Sequence, residues 1–362
     1  MKSRPATNEG PVLSAPAPRL WVQVTRVSRA SDWWEHKVPC VLAVVYATAY
    51  RHSMSLVDLV PLIAGVMFAL VAAATYVSVI NDLTDETDDL RAGKANRLAG
   101  RSRGVKGMAL GLCLALGCVS IWLLRTHPTA LWLYLGNWLA FTLYSVRPFR
   151  LKYRGIAGVL ADASGGQCLP ALWATFWVAD TVGQPWPAFW LPLALWSLAL
   201  GLRSILLHQM TDLEEDRIVG GRTLAVRWGP SRIRKLVALG TLPLELTALG
   251  FLLHQTGARW AWPLLLMEGG FVWLRYRLDR LRPFVVQPQA RGSALLYEYH
   301  QVLFPLTFIL ALAGRDPLAL LLIPMHVLLF PRCARRRWDE VWGWSCRILG
   351  AIHRRSLAGN RA

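Results

Sequence analysis

Charge is scarce in this chain. Only 17% of its 362 residues are Asp, Glu, Lys or Arg, where a soluble domain carries about 25%. Mean hydropathy is positive, at +0.34. The composition argues against a soluble enzyme and reads as a polytopic membrane protein. Acid is scarcer still, with 22 Asp and Glu against 40 Lys and Arg and a formal net charge of +18. Cysteine is sparse and unpaired. Cys40, Cys113, Cys118, Cys168, Cys333 and Cys346 show no CxxC spacing, so neither a zinc site nor a disulfide framework is supported. The opening segment, MKSRPATNEGPVLSAPAPRLWVQVTRVSR, has no apolar run of the signal-peptide kind and is expected to be a flexible cytoplasmic leader.

Apolar runs are what the chain has in plenty. A bilayer span needs about 20 mostly apolar residues. Candidates fall near 34–50, 59–80, 106–125, 129–146, 156–178, 187–208, 234–254, 258–274, 298–313 and 317–330. The expected fold is therefore all-α, a polytopic bundle of nine or ten transmembrane helices. Its expected divisions are a leader over 1–32, a membrane domain over 33–331 and a basic amphipathic tail over 332–362. Alternate loops are strongly basic: KANRLAGRSRGVK (94–106), RPFRLKYR (147–154), RIRK (232–235) and RYRLDRLR (275–282). The positive-inside rule puts that set and the N-terminus in the cytoplasm. The tail mixes Arg with Trp, Ile and Leu, as an interfacial helix on anionic membrane lipid would. Topology and lipid contact account for most of the +18, and no nucleic acid partner is expected.

The few acids are not spread evenly. Asp82, Asp85, Glu86, Asp88 and Asp89 fall in one window, and Asp212, Glu214, Glu215 and Asp216 in another. Both windows follow apolar runs on the expected cytoplasmic side. Asn81, Asp85 and Asp89 are spaced by four, as are Asp212 and Asp216. On a helix such positions stay within about 80° of one face, so each set points oxygens in one direction as a continuation of its membrane helix. Stacked carboxylates repel by a few tenths of a kcal/mol per pair. A hard divalent cation relieves this, and Mg²⁺ typically takes one or two carboxylates and completes its shell with water and substrate phosphate. An ion-transport reading would instead place acids near the bilayer midplane.

The two windows also repeat one pattern. DETDDLRAG (85–93) and DLEEDRIVG (212–220) both read DxxxDxxxG, and each glycine suits a helix C-terminus. Lys94 and Arg97 follow the first window and Arg222 the second, placed to pair with phosphate oxygens. Arg150 and Lys152 in the basic stretch after the fourth span are further candidates for a phosphate, against a reading as topological anchors. His208, one turn before Asp212, could face the same cavity or be structural. Tyr76 and Trp138 are candidate cavity walls or core packing.

Together these residues resemble the UbiA superfamily of intramembrane prenyltransferases over roughly residues 30 to 330. Asn81, Asp85 and Asp89 match its NxxxDxxxD signature, followed by Lys94 and Arg97. Asp212, Asp216, Gly220 and Thr223 match its DxxxDxxxGxxT signature. The segment YSVRPFRLKYRGIAG resembles its basic loop between the fourth and fifth helices. Leu98 and Arg147 stand where the family commonly has proline.

The resemblance implies a helical membrane bundle with a central cavity capped by the motif-bearing loops. It implies Asn81, Asp85, Asp89, Asp212 and Asp216 as Mg²⁺ ligands, the four aspartates as catalytic, and Asn81, Lys94, Arg97, Arg150, Lys152 and Arg222 as substrate-binding. Its expected substrates are a prenyl diphosphate donor and an aromatic or lipid acceptor. The expected setting is the bacterial inner membrane with the site facing the cytoplasm. Members that cyclise a prenyl diphosphate, or move phosphoribose onto a polyprenyl phosphate, remain open alternatives.

Overall fold

Helix α1 (Ala30–Arg51) runs through the middle of the bundle. Every residue from Val41 to Ala47 is at most 1% exposed, as expected of a helix apolar on all sides. It packs against α6 and α12, defined below. The structure, a computed structural model, describes residues 29–184, 186–218, 220–286 and 292–359. The expected leader lies almost wholly outside these described residues.

Helix α2 (Leu56–Arg91) is capped by Ser55, whose hydroxyl accepts from the backbone N–H of Asp58. At 36 residues it is roughly 54 Å long, well beyond a hydrocarbon core of about 30 Å. Its last turns carry the first acid window. Next come α3 (Arg103–Leu124) and α4 (Pro128–Ser145). Helix α5 (Ile156–Ala163) joins α6 (Leu169–Thr181) through a π-helical turn at Ser164–Cys168. Helix α7 (Trp190–Thr211) gives way at Asp212 to the short α8 (Leu213–Ile218). Helix α9 (Leu224–Leu236) joins α10 (Leu242–Thr256) through a second π turn at Val237–Thr241. Helix α11 (Ala261–Leu274) ends in a third, at Arg275–Asp279.

Two three-residue strands, β1 (Arg282–Phe284) and β2 (Gly292–Ala294), pair in parallel with Arg282 opposite Gly292. They are the only strands among the described residues of an otherwise all-helical bundle. After a further π turn at Tyr299–Leu303 come α12 (Phe304–Ala313), α13 (Leu322–Leu329) and α14 (Pro331–Gly359).

Among the described residues, four helical segments are long and apolar enough to cross a membrane: Leu56–Arg91, Arg103–Leu124, Trp190–Thr211 and Leu224–Thr256, the last carrying a kink at Gly229 and the π turn Val237–Thr241. A fifth is reached if Pro317–Leu329 and Pro331–Gly350, bent by 97°, form one span. The protein is an integral membrane protein of several apolar helices. Of the remaining expected spans, those near 34–50 and 129–146 are the unbroken helices α1 and α4, and others change geometry along their length. The π turn Ser164–Cys168 divides the run near 156–178, and the run near 317–330 turns sharply into α14. Helix α3 shows the lipid-facing character directly, with Met108, Leu112 and Trp122 each more than half exposed.

The functional end of the bundle is fixed by side-chain contacts. Arg150 after α4 reaches Asp85 on α2, and Lys94 after α2 reaches Asp212 after α7. Val285 and Val286 beyond β1 pack with Ile205, Met210 and Leu224 at that same end.

Candidate active site

The first acid window keeps its expected geometry. Residues 81–91 remain helical to the end of α2. Gly93 then adopts φ 67° while the Lys94 N–H donates to the Asp89 carbonyl at 2.8 Å. This closes the helix through a left-handed glycine and turns the chain back across the acids.

The second window differs from expectation. It does not continue α7, which ends at Thr211, and it restarts as α8 at Leu213. An unbroken helix would hold four acids at its negative C-terminal end. The break puts Glu214, Glu215 and Asp216 in a first turn, where the helix dipole favours them. The spacing survives, since the Asp216 N–H donates to the Asp212 carbonyl at 2.9 Å, and Gly220 closes the segment at φ 68°.

These elements enclose a cavity of about 290 Å³. Asn81, Asp85, Asp89, Lys94, Arg97, Lys152, Asp212 and Asp216 all line it, and so does His208. Arg150 stands just behind, donating to Asp85 at 3.0 Å and Asp88 at 2.8 Å. Arg222 is exposed and outside the lining. Tyr76 and Trp138 are not in the lining either. They stack on each other with centroids 4.2 Å apart, a packing role next to buried Leu98 and Cys113.

Each carboxylate set is held by cations from another loop. Lys94 bridges Asp212 at 2.7 Å and Glu215 at 2.9 Å, which ties the first loop to the second window. Lys152 pairs with Asp85. Burial works against the charge of Lys94, but Asp212 and Glu215 outweigh it and hold the ammonium pKa above its usual range. For Lys152 burial prevails over Asp85, and its pKa falls below the ordinary value. Burial also raises the Asp216 carboxyl, against the pull of Lys94.

Several members of the site carry no family signature. Asp88 accepts from Arg150 and from the Tyr153 hydroxyl at 3.2 Å. Asp82 is fully buried and paired with Arg29. Asn96 donates to Asp89 and to the Asp82 carbonyl, both at 2.8 Å. It also accepts from the N–H groups of Leu98 and Ala99, pinning the loop over the acids. The sequence signal for Asp82 and Asp88 was density of acid alone.

Gly158 sets the height of the basic loop. A Cβ there would meet the Leu151 carbonyl and lie 3.0 Å from Lys152 Cα. Gly158→Ala is therefore expected to push Lys152 away from Asp85, at a cost of about 1–3 kcal/mol in stability. Thermal unfolding in detergent would read that cost, and weakened binding of inorganic diphosphate would read the displacement.

Among the described residues, no three acid, imidazole or thiol side chains are close enough to hold a metal alone. The donor set nevertheless fits a hard cation of the Mg²⁺ kind, which takes one or two carboxylates and leaves its other positions to water and phosphate. Lys94, held protonated by Asp212 and Glu215, shows that the pocket stabilises positive charge at the second acid set.

The described residues thus form a helical bundle with two carboxylate windows and loop cations around one polar cavity. The UbiA prenyltransferase family matches residues 38–287, and the chain belongs to that family. It is similar to two structures of a UbiA homolog from Archaeoglobus fulgidus, one bound to GPP and Mg²⁺ and one to DMAPP and Mg²⁺. The TM-scores are 0.54 and 0.55 at 14% identity, covering 80% of this chain and 99% of the other. It is also 30% identical over 145 residues to the chloroplastic chlorophyll synthase of Arabidopsis thaliana. That stretch is 40% of this chain and 35% of the relative, so the chain spans about a third of the relative's length.

Proposed function

We infer that the chain transfers a prenyl group from an isoprenoid diphosphate to a small aromatic or lipid acceptor within the membrane. The observation that carries this reading is the meeting of both acid windows and the cations Lys94, Arg97 and Lys152 around one cavity at the end of the bundle. The A. fulgidus homolog's binding of GPP, DMAPP and Mg²⁺ supports it.

In this reading Asn81, Asp85 and Asp89 hold one side of the diphosphate site and Asp212 and Asp216 the other. Mg²⁺ bound between them would neutralise the charge that grows on the departing diphosphate. Lys94, Arg97, Arg150 and Lys152 supply fixed positive charge to the same oxygens, preorganised by their present carboxylate partners. Arg222, exposed as it is, would meet the diphosphate only at the cavity rim. The allylic carbon lies toward the bundle interior, where buried apolar walls keep water from the cation. Basic loops at the same end as the acids favour a cytoplasmic site, and we place the protein in a bacterial inner membrane on that basis.

The test uses purified protein in lipid nanodiscs, Mg²⁺ and prenyl diphosphates of several lengths, with and without membrane extract. Diphosphate release that needs both Mg²⁺ and extract is expected. Chelating Mg²⁺ with EDTA should abolish it, and restoring the metal should recover it. Release without extract would instead indicate a cyclase, and no release from any prenyl diphosphate would overturn the reading.

A further inference from the structure

A second chamber, of about 100 Å³, lies one helical turn deeper than the polar cavity. Ser78 lines it where Asn81 lines the first, and Phe141 lines it where Tyr144 lines the first. Its walls are mostly apolar, among them Val41, Leu70 and Val77. One residue there is out of place. Lys37, on the central helix α1, lines this chamber.

Asp162, at the end of α5, stands close by. Lys37 Nζ and Asp162 Oδ1 lie 2.7 and 3.6 Å from the point where a Cβ on Gly166 would stand. Neither side chain makes a hydrogen bond or close ion pair among the described residues, although the two interact electrostatically. Asp162 also feels His208, which lines the polar cavity. Gly165 and Gly166 belong to the π turn Ser164–Cys168, a geometry frequent at functional sites. With no side chain, Gly166 leaves open the space that Lys37 and Asp162 border.

Charged groups inside a membrane protein are costly and mark function when they face a cavity. A lysine and an aspartate held apart, each without a hydrogen-bonding partner among the described residues, leave room for a polar group between them. We propose that Lys37 and Asp162 receive the acceptor, that the acceptor carries an acidic hydroxyl, and that Asp162 takes its proton during transfer. The proposal rests on the prenyl-transfer reading above. In the step, the C1–oxygen bond of the prenyl diphosphate breaks and its electron pair leaves with the diphosphate. The acceptor's hydroxyl oxygen bonds to C1, or a ring carbon that this oxygen activates does so and then loses its own C–H proton, which returns the oxygen to a hydroxyl. The hydroxyl proton passes to the Asp162 carboxylate, and Lys37 stabilises the negative charge that grows on the acceptor oxygen.

The experiment uses the full chain in nanodiscs with Mg²⁺, tritiated geranyl diphosphate and a solvent extract of membranes. Half of the extract is methylated to block acidic hydroxyls. Wild type should form labelled product with the untreated half and lose it with the methylated half. Asp162→Asn should lower product formation about 100-fold or more at saturating extract, with Mg²⁺-dependent geranyl diphosphate binding unchanged. Lys37→Met should raise the extract concentration needed for half-saturation. Equal product from methylated extract overturns the proposal, as does wild-type turnover in Asp162→Asn. Loss of donor binding in Asp162→Asn also overturns it, because Asp162 would then be structural. Absence of product from the wild type with either half overturns the transfer reading itself.

Discussion

Asp85→Asn is expected to lower diphosphate release by about 10²- to 10³-fold, the usual loss when one preorganised electrostatic contact to developing charge is removed. The structure explains why so small a change should matter. Asp85 lies in the middle of the first window and pairs with two cations from another loop, Arg150 and Lys152. Asparagine fills nearly the same space but cannot hold a divalent cation with the same strength, and it leaves Lys152 without its anion and Arg150 with Asp88 alone. Lys152 is already deep enough for burial to depress its pKa, and losing Asp85 removes what most opposes that depression. Asp212→Asn should have an effect of the same order, since it frees Lys94 from one of the two carboxylates it bridges. Steady-state diphosphate release with saturating donor and Mg²⁺ measures both. Release at wild-type rates in either variant would show that the carboxylates do not hold the reacting diphosphate.

Much of that centre was legible in the sequence because it is local. Asn81, Asp85 and Asp89 recur every four residues, and a helix converts that spacing into one face without help from the rest of the fold. Lys94 and Gly93 follow directly, and a left-handed glycine turns the chain back over the acids. Arg150 and Lys152 were readable as phosphate-type cations in a basic loop, but their pairing with Asp85 and Asp88 joins residues more than 60 positions apart. Nothing in spacing reports such a contact. Arg222 shows the converse, since its position after Gly220 suggested a phosphate ligand and the chain turns it outward. The break at Asp212 was hidden because the acid spacing fits one long helix as well as two short pieces. Span number was obscured for a similar reason. The run near 317–330 reads as one span, but the chain bends by 97° between Leu329 and Pro331, and hydropathy alone does not report such a bend.

The C-terminal helix gives the largest expected loss of stability. The tail read as a basic amphipathic segment for the membrane surface, and α14 does expose Trp338 and Trp342. Its other side is tied to the bundle by Arg275, which is only 2% exposed. That guanidinium donates to Glu268 at 3.1 Å, to Glu340 of α14 at 2.9 Å, and to Glu298. Arg337 of α14 reinforces the cluster through Glu268 at 3.3 Å and Glu298 at 3.2 Å. Three carboxylates thus share two buried cations. Removing one partner of a buried charge group costs about 3–5 kcal/mol, mainly because the other charges stay desolvated. Arg275→Met should therefore destabilise the protein by about that amount and loosen α14 from α11. Thermal unfolding in detergent would show the first effect, and faster amide exchange along 331–350 the second. Replacing Glu298 and Glu340 with Gln in the same chain should recover a substantial part of the loss, since fewer uncompensated carboxylates remain. An Arg275→Met chain as stable as wild type, with α14 equally protected, would mean that apolar packing alone seats this helix.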